Sequence, residues 1–175
     1  PPNHILIGAT HTHSAPDAYG FPDENGQRTW DPSYLEYCIQ QIADAVNEAL
    51  DQAQPASLKI AVDKAEGKIA YNYYAPALYD PRCGVIQAVS LQDNQVIATL
   101  VNYAIHPEVI GPKQGILSPD LCGPLYDRIE SKAGGIALFM NGAQGGMVTA
   151  DNRRSQGKEE LTWEECQRIG HLLAD

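Results

Sequence analysis

His11 and His13 are separated by one residue in Thr10-His11-Thr12-His13-Ser14, and His106 closes an apolar run at Asn102-Tyr103-Ala104-Ile105-His106-Pro107. Neutral imidazole is a common ligand of zinc-like divalent ions, and alternate residues of an extended segment face the same way, so His11 and His13 can address one cavity. The same spacing also suits two histidines hydrogen-bonded beside a loop. His106 tilts the choice toward a metal, because Pro107 holds the residue before it extended and presents the ring at a strand terminus. A lone histidine there is otherwise a satisfied structural residue. His4 and His171 receive no role; His171 falls in the last turns of a helical pattern, where it suits the helix dipole.

Other chemistry is poorly supported. Ser14 follows His13, but no G-x-S-x-G elbow surrounds it. The glycine run Gly142 to Gly146 lacks the Lys-Ser/Thr ending of a phosphate loop, and it reads as a turn or as a place where backbone approaches a site closely. The four cysteines, Cys38, Cys83, Cys122 and Cys166, form no C-x-x-C pair. A thiolate zinc knuckle is thereby excluded, and each reads as a small buried residue.

The elements that must position these groups follow from periodicity. Ile5 to Ala9 is a short apolar run that reads as a buried strand delivering the two histidines at its end. A polar loop from Ala15 to Trp30 follows, expected to cover the site, with Tyr19, Phe21 and Trp30 available to an acyl chain or to packing on the next helix. Asp31-Pro32 gives an N-cap and a proline at the first helical position, and Leu35, Ile39, Ile42, Val46 and Leu50 follow at helical spacing up to Pro55. Leu58 to Ala65 alternates as a strand with one wet face, and Gly84 to Leu91 with Gln95 to Ile105 reads as a hairpin. A second helix is expected from Ser118-Pro119-Asp120 to Gly134-Gly135, then a buried strand from Ile136 to Met140 that empties into the Asn141 loop. Thr162-Trp163-Glu164-Glu165 is a capping box for the last helix.

Interleaved strands and helices without strict βαβ periodicity predict a mixed β-sheet with packed helices, an α/β or α+β fold. Three strand ends then carry the polar chemistry: His11/His13, His106 and the Asn141 loop. The composition sets outer bounds. With 175 residues and a net charge of −10, the chain is one domain's worth of sequence whose field repels polyphosphate, so nucleic acid is excluded as a first partner. No apolar run approaches the ~20 residues of a membrane helix. The chain starts without methionine and ends inside a helical pattern, so it reads as a piece of a longer protein, with any targeting signal left open.

Taken together and in order, Ala9-Thr10-His11-Thr12-His13-Ser14-Ala15-Pro16, Asn102 to Pro107 and Phe139-Met140-Asn141-Gly142-Ala143-Gln144-Gly145 resemble the N-terminal domain of the neutral/alkaline, non-lysosomal ceramidases. The resemblance covers residues 1–175 as a partial domain. It implies a zinc-dependent hydrolase of an amide bond, with N-acylsphingosine or another small-molecule or lipid N-acyl compound as substrate. It makes His11 and His106 zinc ligands and His13 the catalytic neighbour; Asn141 and Gly142 of the third motif, with Tyr19 of the polar loop, are the expected substrate-side residues. It also implies a secreted or periplasmic protein working at a membrane surface, with a glutamate and a tyrosine from later sequence completing the metal shell. Three departures stand out: Ala15-Pro16-Asp17 replaces a Gly-Pro-Gly run, Tyr73-Tyr74 follows Asn72 where an arginine is usual, and Gly145-Gly146 replaces Gly-Asp. The competing expectation is a non-catalytic binding or structural domain with a degenerate metal site.

Overall fold

The computed structural model describes residues 5–154 and 157–175, so His4 lies outside the described residues. Two compact units are present, one formed by the N-terminal segment through Ser14 together with Ala56–Asp175, the other by Ala15–Pro55.

In the larger unit, strands β1 (Ala56–Lys64), β3 (Arg82–Ser90), β4 (Val96–Tyr103) and β5 (Ile136–Asn141) make a mixed sheet in the order β1-β3-β4-β5. The β1–β3 and β3–β4 pairs are antiparallel and β4–β5 is parallel. The short strands β2 (Ala70–Asn72) and β6 (Val148–Ala150) pair antiparallel in a second sheet. Together with its helices this is the α+β arrangement expected. The register Val101↔Phe139 and Tyr103↔Asn141 puts Val101, Tyr103, Ala137 and Phe139 on one face, where all four are buried. Helices α2 (Cys122–Ala133) and α3 (Trp163–Ala174) supply Leu125, Ile129, Cys166, Ile169 and Leu173 to that same core. Burial of this apolar surface is the main driving force of the fold.

The α2–α3 crossing depends on one glycine. A Cβ at Gly170 would stand 2.5 Å from the Leu121 carbonyl oxygen and 3.0 Å from the Leu125 nitrogen, both of them backbone. Neither atom can yield without moving a helix. Gly170→Ala is therefore expected to lower stability by about 1–3 kcal/mol, the cost of overpacking. An unchanged urea midpoint would show that the two helices separate freely.

Caps explain the helix starts. Thr162 Oγ1 accepts the backbone N–H of Glu165 at 3.3 Å, while the Glu165 carboxylate turns to the Arg168 guanidinium at 2.6 Å rather than closing the box. The pair with Arg168 holds the Glu165 carboxyl below its ordinary range. Helix α2 begins later than expected, at Cys122, because Asp120 is used for a tether instead of a cap. Its backbone is left-handed at φ 52°, and its fully buried carboxylate accepts from the N–H groups of Ile110 and Leu121 at 2.9 and 2.7 Å.

Two other expectations change, and two short strands appear that the sequence did not announce. Ile5 to Ala9 is not a strand: it joins no ladder among the described residues, and Ile5, Leu6 and Ile7 are 64%, 79% and 77% exposed. Strand β1 shows no wet and dry face, since as an edge strand paired only with β3 all nine of its residues are exposed. The strands β2 and β6 carry only three residues each, too few for a period to show in sequence. All four cysteines are free; Cys122 and Cys166 are buried, and burial pushes the Cys122 thiol up to about 12.

The smaller unit holds the polar loop and helix α1 (Pro32–Asp51), whose N-cap Asp31 accepts from the Ser33 N–H at 2.9 Å. In the loop, Gly20 is left-handed at φ +67° with the Trp30 ring against its α-carbon. Any side chain there would strike the indole. Tyr19 and Phe21 stack on each other with centroids 5.4 Å apart, and both are exposed.

Candidate metal centre

Three half-buried imidazoles meet in the larger unit. The ring centroids of His11 lie 5.1 Å from His13 and 4.9 Å from His106, and those of His13 and His106 are 5.7 Å apart. Each ring offers one nitrogen such that all three atoms fall within 4.8 Å of one another.

The convergence has a different cause from the one expected. The segment is not an extended strand end: His11 sits in left-handed backbone at φ 64°, a conformation that costs a β-carbon-bearing residue energy and persists only when its surroundings fix it. Those surroundings are visible. The His13 N–H donates to the Pro107 carbonyl at 3.0 Å, and the Ser118 N–H donates to the Ser14 carbonyl at 2.9 Å. Thr12 Oγ1 donates to the Ser118 carbonyl at 2.9 Å, and the Asn141 side-chain amide donates to the Thr10 carbonyl. The histidine turn is thus stapled to the segment after His106, to the residues before α2 and to the end of β5.

His106 lies beyond β4 and bridges Thr149 of β6. Its N–H donates to the Val148 carbonyl at 3.0 Å, and its ring Nδ1 lies 2.7 Å from that same oxygen. A carbonyl only accepts, so Nδ1 carries the proton and Nε2 is the nitrogen free for a ligand. His13 is set in the same way by a residue the sequence reading passed over. Its Nδ1 lies 3.0 Å from Glu108 Oε2, and the Glu108 carboxylate also takes a hydrogen bond from Thr149. Nothing in the sequence around Glu108 marks it except its place two residues after His106.

The electrostatics follow this wiring. Burial would push Glu108 up, but hydrogen bonds from His13 and Thr149 outweigh it and hold the carboxyl below its usual range. The bond to Glu108 raises His13, against the opposing effect of burial. Burial lowers His11, and the neighbouring His106 and His13 lower it further. A depressed His11 stays neutral to lower pH, which is the state a metal needs. The donor set of two fixed-tautomer imidazoles and a third with a lowered pKa fits a zinc-like ion.

The remaining expected residues separate. The side chain of Asn141 reaches Thr10, the residue before His11, and its Oδ1 is buried without a hydrogen-bond partner. Gly142 packs on the end of β4: a Cβ there would stand 3.2 Å from the Ala104 nitrogen. Tyr19 belongs to the smaller unit. Ser14 is buried, with its Oγ also lacking a partner. No helix among the described residues is long and apolar enough to cross a membrane.

No protein-family model and no curated protein sequence matches the chain. Solved structures do. The neutral ceramidase of Pseudomonas aeruginosa superposes with a TM-score of 0.78 over 95% of this chain at 18% identity, and a ceramidase complexed with C2 does so with a TM-score of 0.76 over 95% at 18% identity. In each case the chain spans 29% of the length of the solved structure. At that level of identity the likeness speaks for architecture alone. The described chain has the fold of one part of the bacterial neutral ceramidases.

Proposed function

We propose that the chain is the metal-binding part of a zinc-dependent hydrolase that cleaves an amide bond in N-acylsphingosine or another N-acyl substrate. The observation that carries the reading is the trio of imidazoles whose ligand atoms gather within 4.8 Å, two of them with Nδ1 already engaged by a protein acceptor. His11 and His106 hold the ion in this reading. A zinc ion there supplies Lewis acidity toward an amide carbonyl and a lowered pKa for water.

The chain's own residues then divide the work. His13 moves the proton at Nε2, because its Nδ1 is tied to Glu108, and the carboxylate steadies the imidazolium that results. Asn141, whose amide holds the Thr10 carbonyl of the histidine turn, stands on the substrate side in this reading. Gly142 keeps backbone close at that point. A secreted or periplasmic protein that meets its substrate at a membrane surface fits this assignment.

The test uses the uncut gene product. Metal content is measured first, and hydrolysis of a panel of N-acyl lipids and N-acyl amino acids is then followed with and without a chelator. The expected result is about one zinc per chain and turnover lost on chelation. Bound zinc without turnover on any member of the panel would leave a metal-binding domain with no amidase activity and would overturn the reading.

A further inference from the structure

Two histidines of the cluster are set from the same three-residue strand, β6, but by different means. The Val148 carbonyl accepts the backbone N–H of His106 at 3.0 Å and faces its ring Nδ1 at 2.7 Å. The next residue, Thr149, donates its hydroxyl to the Glu108 carboxylate, whose Oε2 lies 3.0 Å from His13 Nδ1. His106 is thus oriented by main chain. His13 is oriented through two side chains in series, and its setting is only as firm as the first of them.

Glu108 does not hold still by itself. Its side chain is flexible and 21% exposed, and it lines an open cavity of about 320 Å³, far more than the ~30 Å³ that one water takes up. A carboxylate bonded only to His13 keeps lone pairs with which to turn toward that water. Thr149 stands in the same wall, yet it is only 8% exposed. Its backbone is fixed from two sides, by pairing with Tyr71 of β2 and by the bridge to His106. Its branched β-carbon restricts χ1, so a fixed strand aims the hydroxyl. We infer that Thr149 is a positioning residue: its hydroxyl holds the Glu108 carboxylate against His13, which keeps the His13 proton on Nδ1 and leaves Nε2 free for the reaction. The effect on rate rests on the hydrolase reading; the effect on the tautomer rests on the hydrogen-bonded chain alone.

The test reads the tautomers of His13 and His106 from the NMR shifts of their ring nitrogens, in the metal-free full chain at a pH where both rings are neutral. Both are expected as the Nδ1–H form in the native protein. Thr149→Val keeps the branched shape and removes the hydroxyl, and it is expected to turn His13 into a mixture of tautomers while His106 stays as it was. Thr149→Ser returns the hydroxyl and should return His13 to the Nδ1–H form. Thr149→Ala also removes the hydroxyl without asking a second methyl to fit, and it supplies the same readout should the valine variant fold poorly. In the zinc-loaded protein the valine and alanine variants should lose about tenfold in kcat, the lower end of the ~10–100-fold that outer partners contribute, with KM and zinc affinity nearly native. His106 is the internal control. A threonine that merely kept β6 in place would disturb both rings when replaced, because Val148 belongs to the same strand. Change at both rings, no change at His13, a serine variant that fails to restore the native tautomer, or an unchanged kcat beside a shifted tautomer would each overturn the inference. Failure of the hydrolase reading looks different: the tautomers respond as expected while the native protein cleaves no amide.

Discussion

Replacing His11 or His106 by alanine is expected to strip zinc from the protein and with it all turnover. In the proposed site each supplies an imidazole nitrogen to a small coordination shell, and an ion deprived of one such donor is held far more weakly. The loss of zinc affinity should exceed the ~10–100-fold that removal of an outer hydrogen-bond partner costs. Titration calorimetry with zinc reads it directly, with the urea midpoint of the metal-free variants confirming that the fold survives. Zinc bound with native affinity by the His11→Ala, His106→Ala double variant would place the metal elsewhere and end the mechanism.

The second large effect separates His13 from the ligands. His13→Ala should retain most of the zinc and lose roughly 10²–10⁴ of the rate, the usual contribution of a positioned acid or base. Glu108→Gln should fall between wild type and that variant. It keeps a side chain of the same shape near Nδ1 but removes the carboxylate whose hydrogen bond raises His13. The sign follows: the protonated form of His13 persists to higher pH in the native protein, so the limb of the rate profile it controls should move to lower pH in Glu108→Gln. A His13→Ala variant that loses zinc as completely as His11→Ala would instead make His13 a third ligand, with Glu108 as its outer partner.

These expectations show what a linear sequence exposes. Asp31-Pro32 and Thr162 mark the starts of α1 and α3, because a cap and its helix lie within a few residues of one another. The β3–β4 hairpin is legible for the same reason. Asp120 reads as a helix start yet serves the Ile110 backbone ten residues earlier, a use no local pattern encodes. Ile5 to Ala9 has the composition of a strand, but composition cannot supply a ladder partner.

The site divides along the same line. The histidines are conspicuous by type and spacing, whereas their tautomers are set by Glu108 and by the Val148 carbonyl, partners that only the fold brings into reach. Thr149 is invisible in sequence because its three-residue strand leaves no period. Its importance comes from sitting between β2, His106 and Glu108 at once.

The staples of the histidine turn have a kinetic meaning. The bonds that fix it span 106 residues from Thr12 to Ser118 and 131 from Thr10 to Asn141, whereas the β3–β4 hairpin closes over a short turn. Loops of that length are costly to close before other contacts reward them, so the hairpin is expected to form early and the three imidazoles to assemble late. An interaction absent from the transition state cannot speed folding; it acts on the return path. A zinc ion held by these imidazoles would therefore act as a brake on unfolding, lengthening the lifetime of the assembled site and leaving the rate of reaching it nearly as it was.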